Sequence, residues 1–171
     1  MDINQEDPSI LAKAVGEKLK SDGLYLVSAE SCTGGWLGQA ITTIAGSSEW
    51  YDRGFITYSN LSKNEMLQVS FSTLNQYGAV SVEVAQEMAL GALKNSHAQI
   101  SVAITGIAGP GGGSDTKPVG TVCFAWTLKN ELTNRKQFLF EGNREAVRQQ
   151  AVKIALLGIL ELLENNPVVI V

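Results

Sequence analysis

The chain predicts an α/β fold, a three-layer α/β/α sandwich on a mostly parallel, mixed five-stranded sheet. Short apolar runs without clean alternation, Leu24 to Ala29 and Ile100 to Ile104, suit strands buried on both faces. Between such runs lie stretches whose apolar residues recur at helical spacing, so strand and helix alternate along the chain. The length sets the scale. With 171 residues and 44% hydrophobic content, we expect one domain over residues 1–171, with its core at about 8–165, burying roughly 70% of its unfolded surface.

The first helix follows Pro8-Ser9, carries Ile10, Leu11, Ala14, Val15 and Leu19 at helical spacing, and closes at Gly23. The strand from Leu24 runs through Ala29-Glu30-Ser31-Cys32-Thr33-Gly34-Gly35 into a second helix. That helix turns Trp36, Leu37, Ala40, Ile41 and Ile44 to one face and stops at Gly46. Phe55 to Tyr58 is rich in β-formers, and Ser59-Asn60 can cap a short helix holding Lys63, Met66 and Leu67. Ser81 caps a fourth helix with Val82, Ala85, Met88, Ala89, Ala92 and Leu93 facing inward, before the strand Ile100 to Ile104. Val119 to Leu128 is a strand, Lys129-Asn130-Glu131 a turn, and Arg135 to Phe140 its antiparallel partner. Asn143 opens a fifth helix with Val147, Ala151, Ile154, Ala155, Gly158 and Leu162 inside. The apolar tail Pro167 to Val171 reads equally as a paired edge strand or a subunit contact.

Charge and composition narrow the function. The net charge of −4 comes without a block of like charge or a basic stripe interleaved with aromatics, which argues against nucleic acid as a partner. The acidic, polar start Met1 to Asp7 is unlike a secretory signal, and no apolar run is long enough to span a membrane; a cytoplasmic protein is expected. Cys32 and Cys123 lack a CxxC spacing and read as reduced thiols. The single histidine, His97, reads as a helix-end residue, so a conventional zinc site is hard to build and no metal is expected.

Strands ending near residues 29, 58 and 105 bring three loops to one edge of a parallel sheet, where α/β folds bind ligands. The first loop places Ser31 among the N–H groups that begin a helix. There the N–H groups of Cys32, Thr33 and Gly34 could stabilise an oxyanion. A serine is a weak nucleophile without a base, and in the absence of a suitable histidine Lys63 is the best-placed candidate. To act near neutral pH its pKa must fall by about 3 units, a differential cost of ~4 kcal/mol. Tyr58 could relay a proton or orient Lys63. Equally, Lys63 could be a solvated helix residue and Tyr58 a packed strand terminus. Cys32 is an alternative nucleophile, but no adjacent base favours its thiolate.

The third loop, Thr105-Gly106-Ile107-Ala108-Gly109-Pro110-Gly111-Gly112-Gly113, matches neither a Walker A loop nor a clean GxGxxG. Its glycines could nevertheless form a phosphate-binding nest, with Thr105 at its mouth and Lys117 just beyond, or they could be an ordinary flexible loop. Arg144 and Arg148, four residues apart on the last helix, could hold a phosphate or form surface ion pairs. Glu30 could bind a ribose hydroxyl or an ammonium group, or be hydrogen-bonded at the strand end, and Asn60 stands in the second loop with Lys63.

Four ordered segments, Ala29 to Gly35, Gly54 to Asn60, Gly78-Ala79-Val80-Ser81 and Thr105 to Gly112, closely resemble the CinA carboxy-terminal domain family over nearly the whole chain. The resemblance implies a nicotinamide-nucleotide amidohydrolase that converts nicotinamide mononucleotide and water to nicotinate mononucleotide and ammonia; the alternative is a catalytically inactive pyridine-nucleotide-binding sensor domain that uses the same pocket. It implies no metal or organic cofactor. It also implies a Ser-Lys site, with Ser31 as nucleophile, Lys63 as base and Tyr58 as assistant. Glu30, Asn60, Thr105, Gly106, Ala108, Gly109, Gly111, Gly112, Arg144 and Arg148 are the candidate substrate contacts. We expect a homo-oligomer, a dimer or trimer, with Trp50, Tyr51 and the carboxyl tail as candidate interface residues that could equally pack in the core.

Overall fold

The computed structural model describes residues 7–166. Its elements are α1 (Pro8–Asp22), β1 (Leu26–Glu30), α2 (Trp36–Thr42), a 3-10 turn (Ser47–Glu49), β2 (Tyr51–Ile56), α3 (Asn60–Leu67), α4 (Phe71–Tyr77), α5 (Val82–Lys94), β3 (Ile100–Gly106), β4 (Thr121–Leu128), β5 (Asn134–Leu139) and α6 (Arg144–Asn165). The strands lie in the order β2-β1-β3-β4-β5. β1 pairs in parallel with β2 and β3, and β4 pairs antiparallel with β3 and β5, so β4 alone runs against the rest. The expected mixed sheet is therefore present, with helices on both faces. Among the described residues no helix is long and apolar enough to cross a membrane.

Two apolar cores flank the sheet. One holds Val15, Leu19, Leu26, Leu37, Ile41, Val102, Phe124, Val147, Leu156 and Ile159, and packs α1, α2 and α6 against one face. The other holds Val27, Ala29, Leu67, Leu74, Met88, Ala89, Ala103 and Ala125, beneath α3, α4 and α5. Every residue of β1 is buried, Ser28 and Glu30 included, as the short, mostly apolar run without clean alternation predicts for a strand covered on both sides. Caps set the helix ends. Asp7, Ser59, Ser70, Ser81 and Asn143 accept N–H bonds in the first turns of α1, α3, α4, α5 and α6, and Gly23 ends α1 in the left-handed region at φ 66°.

Several expectations need correction. α4 is a sixth α-helix; its seven residues are too few for periodicity to reveal, although Ser70 caps it. β2 begins at Tyr51 and ends at Ile56, so Tyr58 lies past the strand in the loop before α3. A register shift beside Asp52 separates Leu26↔Tyr51 from Val27↔Arg53. Trp50, offered as an interface residue, is 3% exposed and belongs to the core, where its ring leaves no room for a side chain at Gly16. Tyr51 is half-buried, its hydroxyl 2.7 Å from Ser28 Oγ. In α5, Val84 is fully buried, while Val82 and Leu93, both expected inside, are half-buried at the margin of the core. In α6 the buried set is wider than one stripe, adding Val152, Leu156, Ile159 and Leu163, because the helix is wedged between α1 and the sheet. The tail Pro167 to Val171 lies outside the described residues.

Candidate active site

Because β1, β2 and β3 are parallel, their carboxyl ends share one edge, and the residues that follow them converge there. Ser31 follows β1 directly and is tied down by its N–H, which donates to Ile104 O at 2.9 Å. Lys63 comes from the first turn of α3, fixed by the reciprocal capping box of Ser59 and Ser62. The amine of Lys63 meets Ser31 Oγ at 3.1 Å and Thr57 O at 3.1 Å. At 2% exposure Lys63 is among the largest fully buried side chains, and no carboxylate pairs with it among the described residues. Burial therefore pushes its pKa below the ordinary lysine value, which raises the fraction of neutral amine able to accept a proton. The solvated alternative for Lys63 does not describe this side chain.

Cys32 lines a cavity beside Ser31, but burial pushes its thiol up to about 12, so it is a poor source of thiolate. Both cysteines are free and buried. The turn after Ser31 needs its glycines, since Gly34 sits at φ 59° and Gly35 at φ 102°. Of the three proposed oxyanion donors, the Gly34 N–H is already used: it donates to Ser31 O at 3.0 Å. The N–H groups of Cys32 and Thr33 make no hydrogen bond among the described residues outside regular helix and strand.

Glu30 takes the hydrogen-bonded place at the strand end. Its carboxylate, 2% exposed, accepts from Thr33 Oγ1 at 2.7 Å, Leu37 N at 2.9 Å and Gly38 N at 3.1 Å. It supplies the cap that Gly35, which has no side chain, cannot give α2. Arg148 is also committed. Its Nε donates to Cys32 O at 3.1 Å and its Nη2 to Thr33 O at 3.0 Å, with the guanidinium 5.2 Å from the Trp36 ring centroid. Neither residue lines the cavity beside Ser31.

That cavity, about 210 Å³, is bounded by Ser31, Cys32 and Lys63 at its base, Thr105, Gly106 and Ala108 along β3 and its loop, and Tyr58, Asn60 and Arg144 at its mouth. Ala79 and Val80, which the sequence reading did not assign a role, complete an apolar wall from the turn before α5. Thr105 is buried and donates its hydroxyl to Ala79 O at 2.8 Å. Tyr58 is 60% exposed, and its hydroxyl accepts from Arg144 Nη2 at 2.8 Å; Thr57 O, not Tyr58, orients Lys63. Arg144 Nη1 donates to Gly109 O at 2.8 Å, so a cation holds the Gly109 carbonyl. Gly111 and Gly112 are exposed and do not line the cavity. On the far side of Arg144 a second cavity, about 410 Å³, is bounded by Trp36, Asn143, Glu145 and Arg148.

The same architecture recurs in known proteins. A family model described as the CinA C-terminal domain matches residues 9–163. The chain belongs to the CinA C-terminal domain family. It is 53% identical over 158 residues to "Nicotinamide-nucleotide amidohydrolase PncC" of Enterobacter agglomerans, covering 91% of this chain and 95% of that one. With the protein of the same name from Escherichia coli K12 the identity is 54% over 147 residues, 85% of this chain and 88% of that one. Among solved structures, the competence/damage inducible protein CihA of Agrobacterium tumefaciens superposes with a TM-score of 0.90 at 44% identity, covering 92% of this chain and 96% of that one. A CinA superfamily protein of Klebsiella pneumoniae gives 0.91 at 39% identity, covering 94% and 100%. For a CinA C-terminal domain, the buried Ser31–Lys63 pair is thus seated at the ligand edge of the sheet.

Proposed function

We propose that this chain is a nicotinamide-nucleotide amidohydrolase that hydrolyses the carboxamide of nicotinamide mononucleotide through Ser31 and Lys63. Two relatives more than half identical to it carry that activity in their names. The observation that carries the mechanism is the 3.1 Å contact between Lys63 Nζ and Ser31 Oγ, with the amine buried away from any carboxylate among the described residues.

Neutral Lys63 takes the Ser31 proton as Oγ bonds to the carboxamide carbon, and the carbonyl oxygen becomes an oxyanion facing the Cys32 and Thr33 N–H groups. The C–N bond then breaks, Lys63 returns the proton to the leaving nitrogen, and ammonia departs. Water adds to the nicotinoyl ester with Lys63 again as base, and cleavage of the C–Oγ bond restores Ser31 and releases nicotinate mononucleotide. The apolar side chains of Ala79, Val80 and Ala108 suit the pyridine ring. Arg144, which makes no carboxylate ion pair among the described residues, faces both cavities and is the cation we assign to the phosphate. Tyr58 holds Arg144 in this scheme and does not relay the proton.

The test is release of ammonia and nicotinate mononucleotide by the purified protein, beside the Ser31→Ala variant. Stoichiometric products that vanish in the variant, with binding of nicotinamide mononucleotide retained, are expected. Tight binding without ammonia from the wild-type chain would leave a nucleotide-binding domain instead.

A further inference from the structure

The two N–H groups left for the oxyanion are aimed by the opposite ends of their own peptide units. In a trans peptide the C=O of one residue points away from the N–H of the next, so fixing a carbonyl fixes the following donor. The Ser31 carbonyl accepts from Gly34 N, which sets the direction of the Cys32 N–H. The Cys32 carbonyl accepts from Arg148 Nε, which sets the direction of the Thr33 N–H. Arg148 Nη2 holds the next carbonyl, that of Thr33, which also accepts from Trp36 N at 3.1 Å. The clamp comes from α6, more than a hundred residues downstream, and stands outside the cavity that contains Ser31.

We infer that Arg148, its guanidinium seated on Trp36, is a positioning residue that aims and polarises the Thr33 N–H toward the oxyanion, and is not a phosphate ligand. The inference rests on the Ser31 acyl-transfer reading. A cation on the carbonyl end of a peptide unit draws electron density through it and makes the N–H at the other end a stronger donor. The Trp36 ring backs the guanidinium at 5.2 Å, and the fork geometry lets a single side chain hold two successive carbonyls. Lysine, a point charge on a flexible stem, cannot reproduce both contacts.

The experiment compares Arg148→Ala and Arg148→Lys with wild type in two assays: turnover of nicotinamide mononucleotide, and the rate at which a fluorophosphonate labels Ser31. Phosphonylation builds negative charge on an oxygen beside Ser31 without needing the nucleotide. Losing a whole oxyanion donor costs on the order of 10²–10³ in rate, so misaiming one is expected to lower kcat and labelling by roughly tenfold to a hundredfold. KM should stay within about twofold, and millimolar guanidinium should restore part of the Arg148→Ala rate. Arg148→Lys, which keeps the stem and the charge, decides the matter if the alanine variant does not fold. A raised KM with kcat and labelling unchanged would make Arg148 a substrate contact and overturn the clamp, as would unchanged values throughout. Labelling of Ser31 in a wild-type chain that releases no ammonia would overturn the amidohydrolase reading alone, and the labelling rates would then decide the clamp. A wild-type chain that neither labels nor turns over overturns both.

Discussion

Two glycine-rich segments stand at the same edge of the sheet, and the structure treats them in opposite ways. In the turn Ser31 to Gly35, Glu30, the Gly34 N–H and Arg148 engage the carbonyls of residues 31–33, the Thr33 hydroxyl and the α2 N-terminus. In the loop between β3 and β4, residues 110–116 are exposed and the bonding is mostly local, with Ser114 N donating to Lys117 O at 2.8 Å and Lys117 N to Ser114 Oγ at 3.1 Å. The long loop is moored at its ends, by Arg144 on Gly109 and by Lys117 Nζ on Tyr77 O. A run of glycines therefore does not by itself mark a rigid ligand cradle. Side chains make the short turn rigid: the buried Glu30 beside it and the half-buried Arg148 from α6.

The sharpest way to break that contrast is to remove the amine beside the rigid turn, the base in our proposal. Lys63→Met should lower kcat by roughly 10³-fold or more, within the range for loss of a general base with its nucleophile. Wild-type kcat/KM should rise with pH as Lys63 loses its proton, with the rise centred below the ordinary lysine value of 10.5 because burial lowers that pKa. Stability carries the same sign. The unfolded chain holds the Lys63 proton more tightly than the folded one, so wild type should gain stability relative to Lys63→Met as pH climbs from the folded pKa toward 10.5. A pH–rate profile and urea unfolding at several pH values measure both, and a flat profile sinks the assignment of Lys63 as base.

Next in size is the carboxylate that organises the turn. Glu30→Ala strands the Thr33 hydroxyl and the Leu37 and Gly38 N–H groups, and should cost about 3 kcal/mol in urea unfolding. Glu30→Gln, which keeps one acceptor oxygen, should cost less. A loss below about 1 kcal/mol for the alanine variant would mean water replaces the carboxylate without penalty. Gly106→Ala, at the start of the long loop, should cost about 1–3 kcal/mol, because its Cβ would stand 2.8 Å from Val122 Cγ2 and 3.1 Å from Cys32 Sγ. Since Cys32 adjoins Ser31, the same variant should lower turnover, measured beside its Tm.

How legible was all this in the chain alone? The strand runs, the caps at Ser59, Ser81 and Asn143, and the convergence of three loops follow from local pattern, since β1 and β3 bury both faces, β2 is an edge strand rich in β-formers, and caps act within one turn. Ser31 and Lys63 come together as expected from that convergence. The roles of Glu30 and Arg148 were not legible. Glu30 adjoins Ser31 in sequence yet points into the N-terminus of α2, and Arg148 reaches carbonyls that carry no sequence signal at all. Thr57 escaped notice for the same reason, because it acts on Lys63 through its backbone oxygen. Side-chain patterns predict where a residue stands; which backbone groups it serves depends on packing between distant elements.

The smallest effect is expected in the long loop itself. At Gly111 an added Cβ meets nothing within 4 Å, and the backbone there lies outside the left-handed region that penalises alanine. Alanine restricts the unfolded chain more than glycine does, so Gly111→Ala should leave stability unchanged or raise it by up to about 1 kcal/mol. Turnover and KM should also hold, because Gly111 does not line the Ser31 cavity. A KM raised several-fold at unchanged Tm would show that this loop folds over the bound nucleotide and that its glycines touch substrate.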